Sequence, residues 1–324
     1  MTIQEMIKDI KEKTEDKGGI KEVYFIACGG SLASLYPSKY LIENESKELT
    51  VGYFTSNEFV HVIPKALGIN TIAVLCSHRG NTPETIEAAR VCQSYGAKTI
   101  ALSYIKESPL TKHADYTLYY EFGENAVIEN DKICTSLKIA FEILYQFEEY
   151  INYQKAIDGF DKINLVVDSA KKFVKTRAAI FADKYKDENN IYVMSSGASY
   201  GSAYSYAICI LMEMQWINSS GIHSGEYFHG PFEITDRETP FILLMNEGRT
   251  RPLDERALVF LQKYGEKIII LDAKELGLNT IDDKVIEFFN PVLFNYALRV
   301  YGQELAEIRK HPLSQRRYMW KVEY

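Results

Sequence analysis

The stretch EVYFIACGGS, Glu22 to Ser31, is a short apolar run that ends on two glycines and a serine. Six consecutive apolar-rich residues closed by glycine have strand length, and their unbroken hydrophobicity suits a strand buried on both faces. Leu32 to Asn44 follows as an amphipathic helical stretch. The alternation continues: Leu49 to Phe54, Asn70 to Leu75, Thr99 to Tyr104 and Tyr116 to Tyr120 read as strands, Pro83 to Tyr95 and Ile133 to Tyr150 as helices. Buried strands separated by helices imply βα units and a mostly parallel sheet covered on both faces.

The second half repeats the pattern. SYGAKTIALSY begins at Ser94 and KYGEKIIILDA at Lys263, with Tyr95 and Tyr264 spaced 169 residues apart. Gly29 and Ser31 are matched by Gly197 and Ser199 at a spacing of 168. Two landmarks agreeing within one residue indicate a duplicated α/β unit. The boundary is expected in the polar stretch Ile151 to Lys162, ahead of a long helical pattern from Leu165 to Lys186, giving domains over 1–155 and 156–324.

Composition narrows the function classes. The chain has 324 residues, 25% charged and 46% hydrophobic, with a net charge of −7. An acidic chain with no basic block is a poor partner for nucleic acid, since neutralising phosphates requires clustered Lys and Arg. Apolar runs such as Thr71 to Cys76 fall far short of the roughly 20 residues that span a bilayer. The charged N-terminal stretch MTIQEMIKDIKEKTEDKGG lacks the apolar segment of a signal peptide. Five scattered cysteines, Cys28, Cys76, Cys92, Cys134 and Cys209, with no CxxC spacing fit a reducing cytoplasm. No histidine–carboxylate cluster suggests a metal site.

In open α/β sheets ligands sit at the carboxyl ends of strands, where loops meet helix N-termini. Gly29, Gly30 and Ser31 leave the first strand, and Ser77-His78-Arg79-Gly80-Asn81-Thr82-Pro83 leaves the third. Two hydroxyls, a guanidinium and backbone N–H groups can cradle a phosphate. Thr82, one residue before Pro83, is placed to cap the helix that follows, and plain capping with a solvated Arg79 explains the loop as readily. No Walker or GxGxxG pattern is present.

Glu213 lies in the helical run CILMEMQWI, where its α-helical neighbours Cys209, Ile210, Trp216 and Ile217 are all apolar. That spacing places the carboxylate on a buried stripe, where desolvation raises its pKa and makes it a usable proton shuttle. A buried Glu satisfied by a core donor is the structural alternative. His229 precedes Gly230-Pro231 and so sits on a loop, as a titrating group near neutral pH or as a turn-stabilising residue.

The loops ACGGS (Ala27 to Ser31) and CSHRGNTPET (Cys76 to Thr85), with GEYFHGP (Gly225 to Pro231), resemble the double sugar isomerase (SIS) domain family over essentially the whole chain. The resemblance implies two tandem flavodoxin-like parallel-sheet domains. The isomerase domain of glucosamine-6-phosphate synthase has the same spacing of sixteen residues between its helix glutamate and its HGP histidine as Glu213 and His229 have here. By that likeness Glu213 moves a proton between C1 and C2 and His229 opens the sugar ring. Gly30, Ser31, Ser77, His78, Arg79 and Thr82 would bind the sugar phosphate. Two synthase lysines are missing: Ile210 and Tyr318 stand at those positions. The runs MEMQW (Met212 to Trp216), IHSGEYFHGPFEITD (Ile222 to Asp236) and HPLSQRRYMWKVEY (His311 to Tyr324) are instead similar to the fructosamine-6-phosphate deglycases.

The implied reaction cleaves a 6-phosphofructose-amino acid to glucose 6-phosphate and the free amino acid, without metal or redox cofactor. The likeness is nearest to deglycases of 6-phosphofructose-aspartate, with the fructoselysine 6-phosphate enzymes more distant. An aldose–ketose or aminosugar isomerase and a non-catalytic sugar-phosphate sensor are the alternatives. An aspartate adduct carries extra carboxylates, for which Arg251 and the Arg316-Arg317 pair are candidates by charge. The family likeness further implies a homodimer or larger homo-oligomer in which His229 enters the neighbouring subunit's site.

Overall fold

The computed structural model describes residues 1–123 and 125–323; Tyr324, the last residue of the tail run that begins at His311, lies outside the described residues. The chain divides into two compact units, Met1–Asp161 and Lys162–Tyr324.

In the first unit helix α1 (Ile3–Thr14) opens on a reciprocal cap: Thr2 Oγ1 accepts from the Glu5 N–H, and the Thr2 N–H donates to the Glu5 carboxylate. There follow β1 (Glu22–Ala27), α2 (Gly29–Glu45), β2 (Thr50–Thr55), α3 (Ser56–His61), β3 (Thr71–Cys76), α4 (Pro83–Ser94), β4 (Lys98–Ser103), β5 (Tyr116–Tyr119) and α5 (Lys132–Glu148). The five strands are all parallel, in the order β2-β1-β3-β4-β5. This is the flavodoxin-like winding. Every residue of the central strand β3 is buried, as its sequence TIAVLC requires of a strand covered on both faces. Side chains alternate across the sheet, so Tyr24, Ile26, Ala73 and Leu75 share one face and pack with Phe59, Ala88, Ala89 and Cys92 of α3 and α4.

Helix α6 (Tyr153–Tyr185) runs through the division between the units, starting well before Leu165. The polar stretch read as a boundary is therefore helical, its polar residues occupying a solvated face. The second unit continues with β6 (Tyr192–Ser195), α7 (Tyr200–Ser205), β7 (Gly221–His223), β8 (Phe241–Met245), α8 (Arg251–Tyr264), β9 (Ile268–Asp272) and α9 (Asn290–Ile308). Its strands are also parallel, ordered β7-β6-β8-β9, the same winding as the first four strands of the other unit. The duplication inferred from sequence spacing thus appears as repeated topology.

The matched glycines carry matched backbone. Gly29 has φ 52° and Gly197 φ 53°, so both turns from strand to helix use the left-handed region. Their surroundings differ: a Cβ on Gly29 would meet nothing within 4 Å, whereas one on Gly197 would lie 2.5 Å from Thr250 Oγ1. We therefore expect Gly29→Ala to cost about 1–2 kcal/mol from backbone strain alone, and Gly197→Ala about 2–5 kcal/mol because overpacking adds to it. Chemical denaturation midpoints check this, and equal losses at the two sites would refute the packing argument.

Candidate functional site

The first unit's switch point lies between β1 and β3, where successive connections leave in opposite directions. Ala27 and Cys76 are register partners at the ends of these strands, so the two candidate loops rise side by side. The segment after β1 is less of a loop than expected. Helix α2 begins at Gly29, so Gly29, Gly30 and Ser31 form its first turn, with Ser31 N–H donating to the Cys28 carbonyl at 3.1 Å. Ser31 is half-buried, and its hydroxyl lies beside the buried Cys76 thiol.

The loop after β3 is fixed from several sides. Ser77 N–H donates to the Leu102 carbonyl, Tyr104 N–H to the His78 carbonyl, and Leu110 N–H to the Gly80 carbonyl at 2.8 Å. Ser77 Oγ and Thr82 Oγ1 are 2.8 Å apart. Thr82 does precede α4 in extended backbone, with Pro83 in the first turn, but its hydroxyl makes no cap. Partnership with Ser77 has replaced the capping bond, and it holds both hydroxyls beside the start of α4. Gly80, at φ 65°, brings the loop so near Ser108 that a Cβ there would lie 1.9 Å from its Oγ. Arg79 is exposed. Backbone N–H groups at a helix start, paired hydroxyls and an outlying guanidinium can hold a phosphate.

His78 is not a cation in this loop. Burial, with help from Lys132 and Arg79, pushes its pKa down to about 4. Its Nδ1 lies 2.9 Å from the Tyr120 hydroxyl, and its ring stacks on Tyr104 and meets the edge of Phe122. A neutral imidazole in an aromatic cluster can shape the cradle or hydrogen-bond a ligand, and the cation within the loop itself is Arg79.

The second unit's switch point, between β6 and β8, is filled by its own polar groups. Asn246 Nδ2 donates to Ser195 Oγ, to the Ser196 carbonyl and to buried Asp254 at 2.8 Å. Thr250 packs over Gly197. Arg249 pairs with Glu287, and Arg251 is surrounded by Asp272 at 2.7 and 2.9 Å, Glu247 at 2.8 Å and Glu255 at 2.9 Å. Arg251, a candidate by charge for substrate carboxylates, is thus saturated by the chain's own acids.

The segment carrying Glu213 departs from the sequence expectation. After α7 the helix continues as a π-helix over Tyr206–Met214, and Ile217 N–H donates to the Leu211 carbonyl. The wider turn breaks the α-helical spacing on which the buried stripe was based: Cys209 and Ile210 are only half-buried and Trp216 is 38% exposed. Glu213 is half-buried for a different reason. Arg316, from the segment after α9, donates from Nη2 to its Oε1 at 2.7 Å. Burial pushes the Glu213 carboxyl above the ordinary glutamate range, and Arg316 opposes this without cancelling it. Ile210 packs toward Gly302 of α9.

Trp216 holds φ 56°, strained for a bulky residue. The C-terminal segment braces it: the His311 ring meets its edge at 4.4 Å and the Arg317 guanidinium lies 4.4 Å over its face. Gln215 Nε2 donates to the His311 carbonyl at 2.8 Å. His229 is exposed on the turn after β7, its N–H donating to the Glu226 carbonyl, and Gly230 follows at φ 131°.

Within the first unit, then, Ser31, Ser77, His78 and Thr82 converge on one strand-end cluster. In the second, Glu213 joins a tail that sequence reasoning connected to it only through family likeness. The pairing of Glu213 with Arg316 spans 103 residues, and no local pattern signals it.

Comparison with known proteins agrees with this architecture. The SIS domain model matches residues 19–147 and 184–277. The chain is 48% identical over 322 residues to the fructosamine deglycase FrlB of Bacillus subtilis strain 168, covering 99% of this chain and 97% of that protein. It is 24% identical to the fructoselysine 6-phosphate deglycase of Escherichia coli K12, over 91% of this chain and 86% of that one. A solved structure from Salmonella typhimurium LT2 superposes with a TM-score of 0.97 at 48% identity, covering 99% of this chain and 96% of the other. The chain belongs to the SIS domain family.

The Glu213 environment makes a direct prediction. In ¹³C NMR of protein labelled at glutamate, the Glu213 carboxyl should titrate above ordinary glutamates, and Arg316→Gln should move it higher, because the opposing cation is gone while burial remains. A midpoint at or below that of surface glutamates would overturn the desolvation argument.

Proposed function

We propose that the substrate of this fructosamine deglycase is a 6-phosphofructose-amino acid and that aspartate is the amino acid released. The reading rests chiefly on Glu213, a half-buried carboxylate with a raised pKa, on a chain 48% identical to a fructosamine deglycase. Such a group is ionised often enough to accept a proton near neutral pH, and acidic enough afterwards to return it.

The substrate carries an amino nitrogen on C1 and a carbonyl at C2. His229 assists opening of the cyclic hemiketal. Glu213 removes a C1 proton, the C–H pair forms C1=C2 as the C2=O π pair moves onto oxygen, and that oxygen takes a proton from solvent to give the enaminol. Returning the proton to C2 leaves a C1=N aldimine. Water adds to that carbon, the C1–N bond breaks, and glucose 6-phosphate and the free amino acid separate. Gly30, Ser31, Ser77, Arg79 and Thr82 hold the phosphate, with His78 shaping the cradle, and supply binding energy remote from the reacting carbons. The positions of two synthase lysines are held by Ile210 and Tyr318, which removes the groups an ammonia-using relative would need.

Purified protein is tested with 6-phosphofructose-aspartate and 6-phosphofructose-lysine, following glucose 6-phosphate with a coupled dehydrogenase. We expect the aspartate adduct to be turned over with kcat/KM at least about tenfold higher, one charge-assisted hydrogen bond's worth. Preference for the lysine adduct would overturn the substrate reading. Sugar-phosphate interconversion without amino acid release would mark an isomerase, and thermal stabilisation without turnover a sensor. Glu213→Gln, which keeps shape and removes the base, should lower turnover by about 10² or more. Wild-type exchange of the C1 hydrogen with deuterated water in that variant would make Glu213 structural.

His229, exposed on its turn, is proposed to complete the site of a partner subunit in a homodimer. Glu213→Ala and His229→Ala proteins, each inactive alone, should then regain activity when unfolded and refolded together. Random pairing makes half of the dimers mixed, each with one intact site, so about a quarter of sites recover. A mixture as inactive as its parents, with mixed dimers demonstrably formed, would place His229 in its own chain's site.

A further inference from the structure

The deglycase reading, on which this inference rests, brings C1 of a ketosamine to Glu213. In any ketosamine joined through the α-nitrogen of an amino acid, the carboxylate carbon is three bonds from C1, by way of the nitrogen and the α-carbon, and so lies within about 4 Å of it. Whatever side chain the amino acid carries, an anion arrives beside the base. Two carboxylates at such a distance repel unless a cation serves both.

Arg316 is placed to be that cation. It is 7% exposed. Its Nη1 donates to the Leu313 and Gln315 carbonyls at 2.8 and 2.7 Å, and its Nη2 to Glu213 at 2.7 Å. Its Nε is buried and meets no acceptor among the described residues. A buried guanidinium N–H left unmet is costly, and Nε together with Nη2 is an edge that carboxylates take in a bidentate manner. Glu213 uses one of the two Nη2 hydrogens and leaves the Nε–H open. Of the other arginines that charge alone made candidates for the substrate's carboxylates, Arg251 is ion-paired and Arg317 lies on Trp216. Gln215 Oε1 and His311 Nε2, on residues joined to each other by a hydrogen bond, are also buried and unmet among the described residues, so the tail junction has polar capacity that the chain does not fill.

We infer that Arg316 receives the α-carboxylate of the substrate's amino acid while keeping Glu213 as its neighbour. The enzyme would then select for adducts joined through the α-nitrogen as a class, and the side chain would be read by other groups.

The test compares two ketosamine 6-phosphates differing only in that group: the adduct of aspartate and the adduct of isoasparagine, whose α-carboxylate is an amide and whose side-chain carboxylate is intact. The wild-type enzyme should prefer the aspartate adduct by about ten- to a hundredfold in kcat/KM. In Arg316→Gln the ratio should collapse to within a few fold. Removing Arg316 also alters Glu213, which changes both rates, so the ratio within one preparation is the readout, and any inactive fraction cancels from it. Arg316→Lys, which keeps the charge and loses the fork, gives the same reading at an intermediate ratio if the glutamine variant does not fold. A ratio in Arg316→Gln equal to that of the wild type, or a wild-type ratio near one, would overturn the assignment and leave the deglycase reading standing. Turnover of neither adduct by the wild-type enzyme would overturn both.

Discussion

The parallel pairing of β1 with β3 is the constraint from which the candidate phosphate site follows. With Ala27 opposite Cys76, both strands end at the same level, and the chain leaves one toward β2 and the other toward β4. The diverging connections leave a crevice above this one pair, and the two loops that border it come from the two strands. Register is in turn held by the core. A slip of one residue in β1 would turn Tyr24 and Ile26 away from α3 and α4, and those side chains anchor that face. Loop placement, down to the approach of the Ser31 hydroxyl to the Cys76 thiol, is thus inherited from hydrophobic packing several residues below it.

Duplication gave the chain a second crevice with the same winding, and the two have diverged in opposite senses. In the first, Ser77 and Thr82 satisfy each other at the start of α4, and Arg79 lies at the surface. In the second, Asn246 reaches across to Ser195 and Ser196, Asp254 gathers donors from Ser224 and Asn246, and Thr250 lies against Gly197. Filling a crevice with mutually satisfied polar groups stabilises the unit and removes the vacancy a ligand would need. The second unit's candidate residues lie elsewhere, Glu213 in the connection between β6 and β7 and His229 on the turn after β7.

How far the sequence foretells this depends on the range of the interaction. Strand spacing and the recurrence of glycine 168 residues apart are local and periodic, and they lead directly to the repeated winding. Ser77 and Thr82 were identifiable as a pair of hydroxyls on one loop, but not as partners of each other, since the sequence rule for a residue before proline favours a cap. Glu213 was singled out by a period that does not apply there: the segment is a π-helix, and of its supposed apolar stripe Trp216 is exposed and Cys209 and Ile210 are only half-buried. What does desolvate it comes partly from a tail a hundred residues on. Contacts of that span obey no short-range pattern and are set by how α9 ends.

The π-helical turn itself asks for an explanation. Such turns have poorer hydrogen-bond geometry than α-helix and survive where surrounding packing over-determines them. Here the surroundings are α9 and the segment beyond it. Gly302 has no side chain where Ile210 approaches α9, and a Cβ there would lie 2.9 Å from the isoleucine Cγ2. The strained Trp216 at the end of the segment is held between His311 and Arg317, Gln215 is tied to the His311 carbonyl, and Glu213 itself is held by Arg316. Each of these partners follows α9 within one short stretch of chain. The wide turn that presents Glu213 is therefore offset by contacts from the C-terminal segment, and the carboxylate is held where it is by that segment.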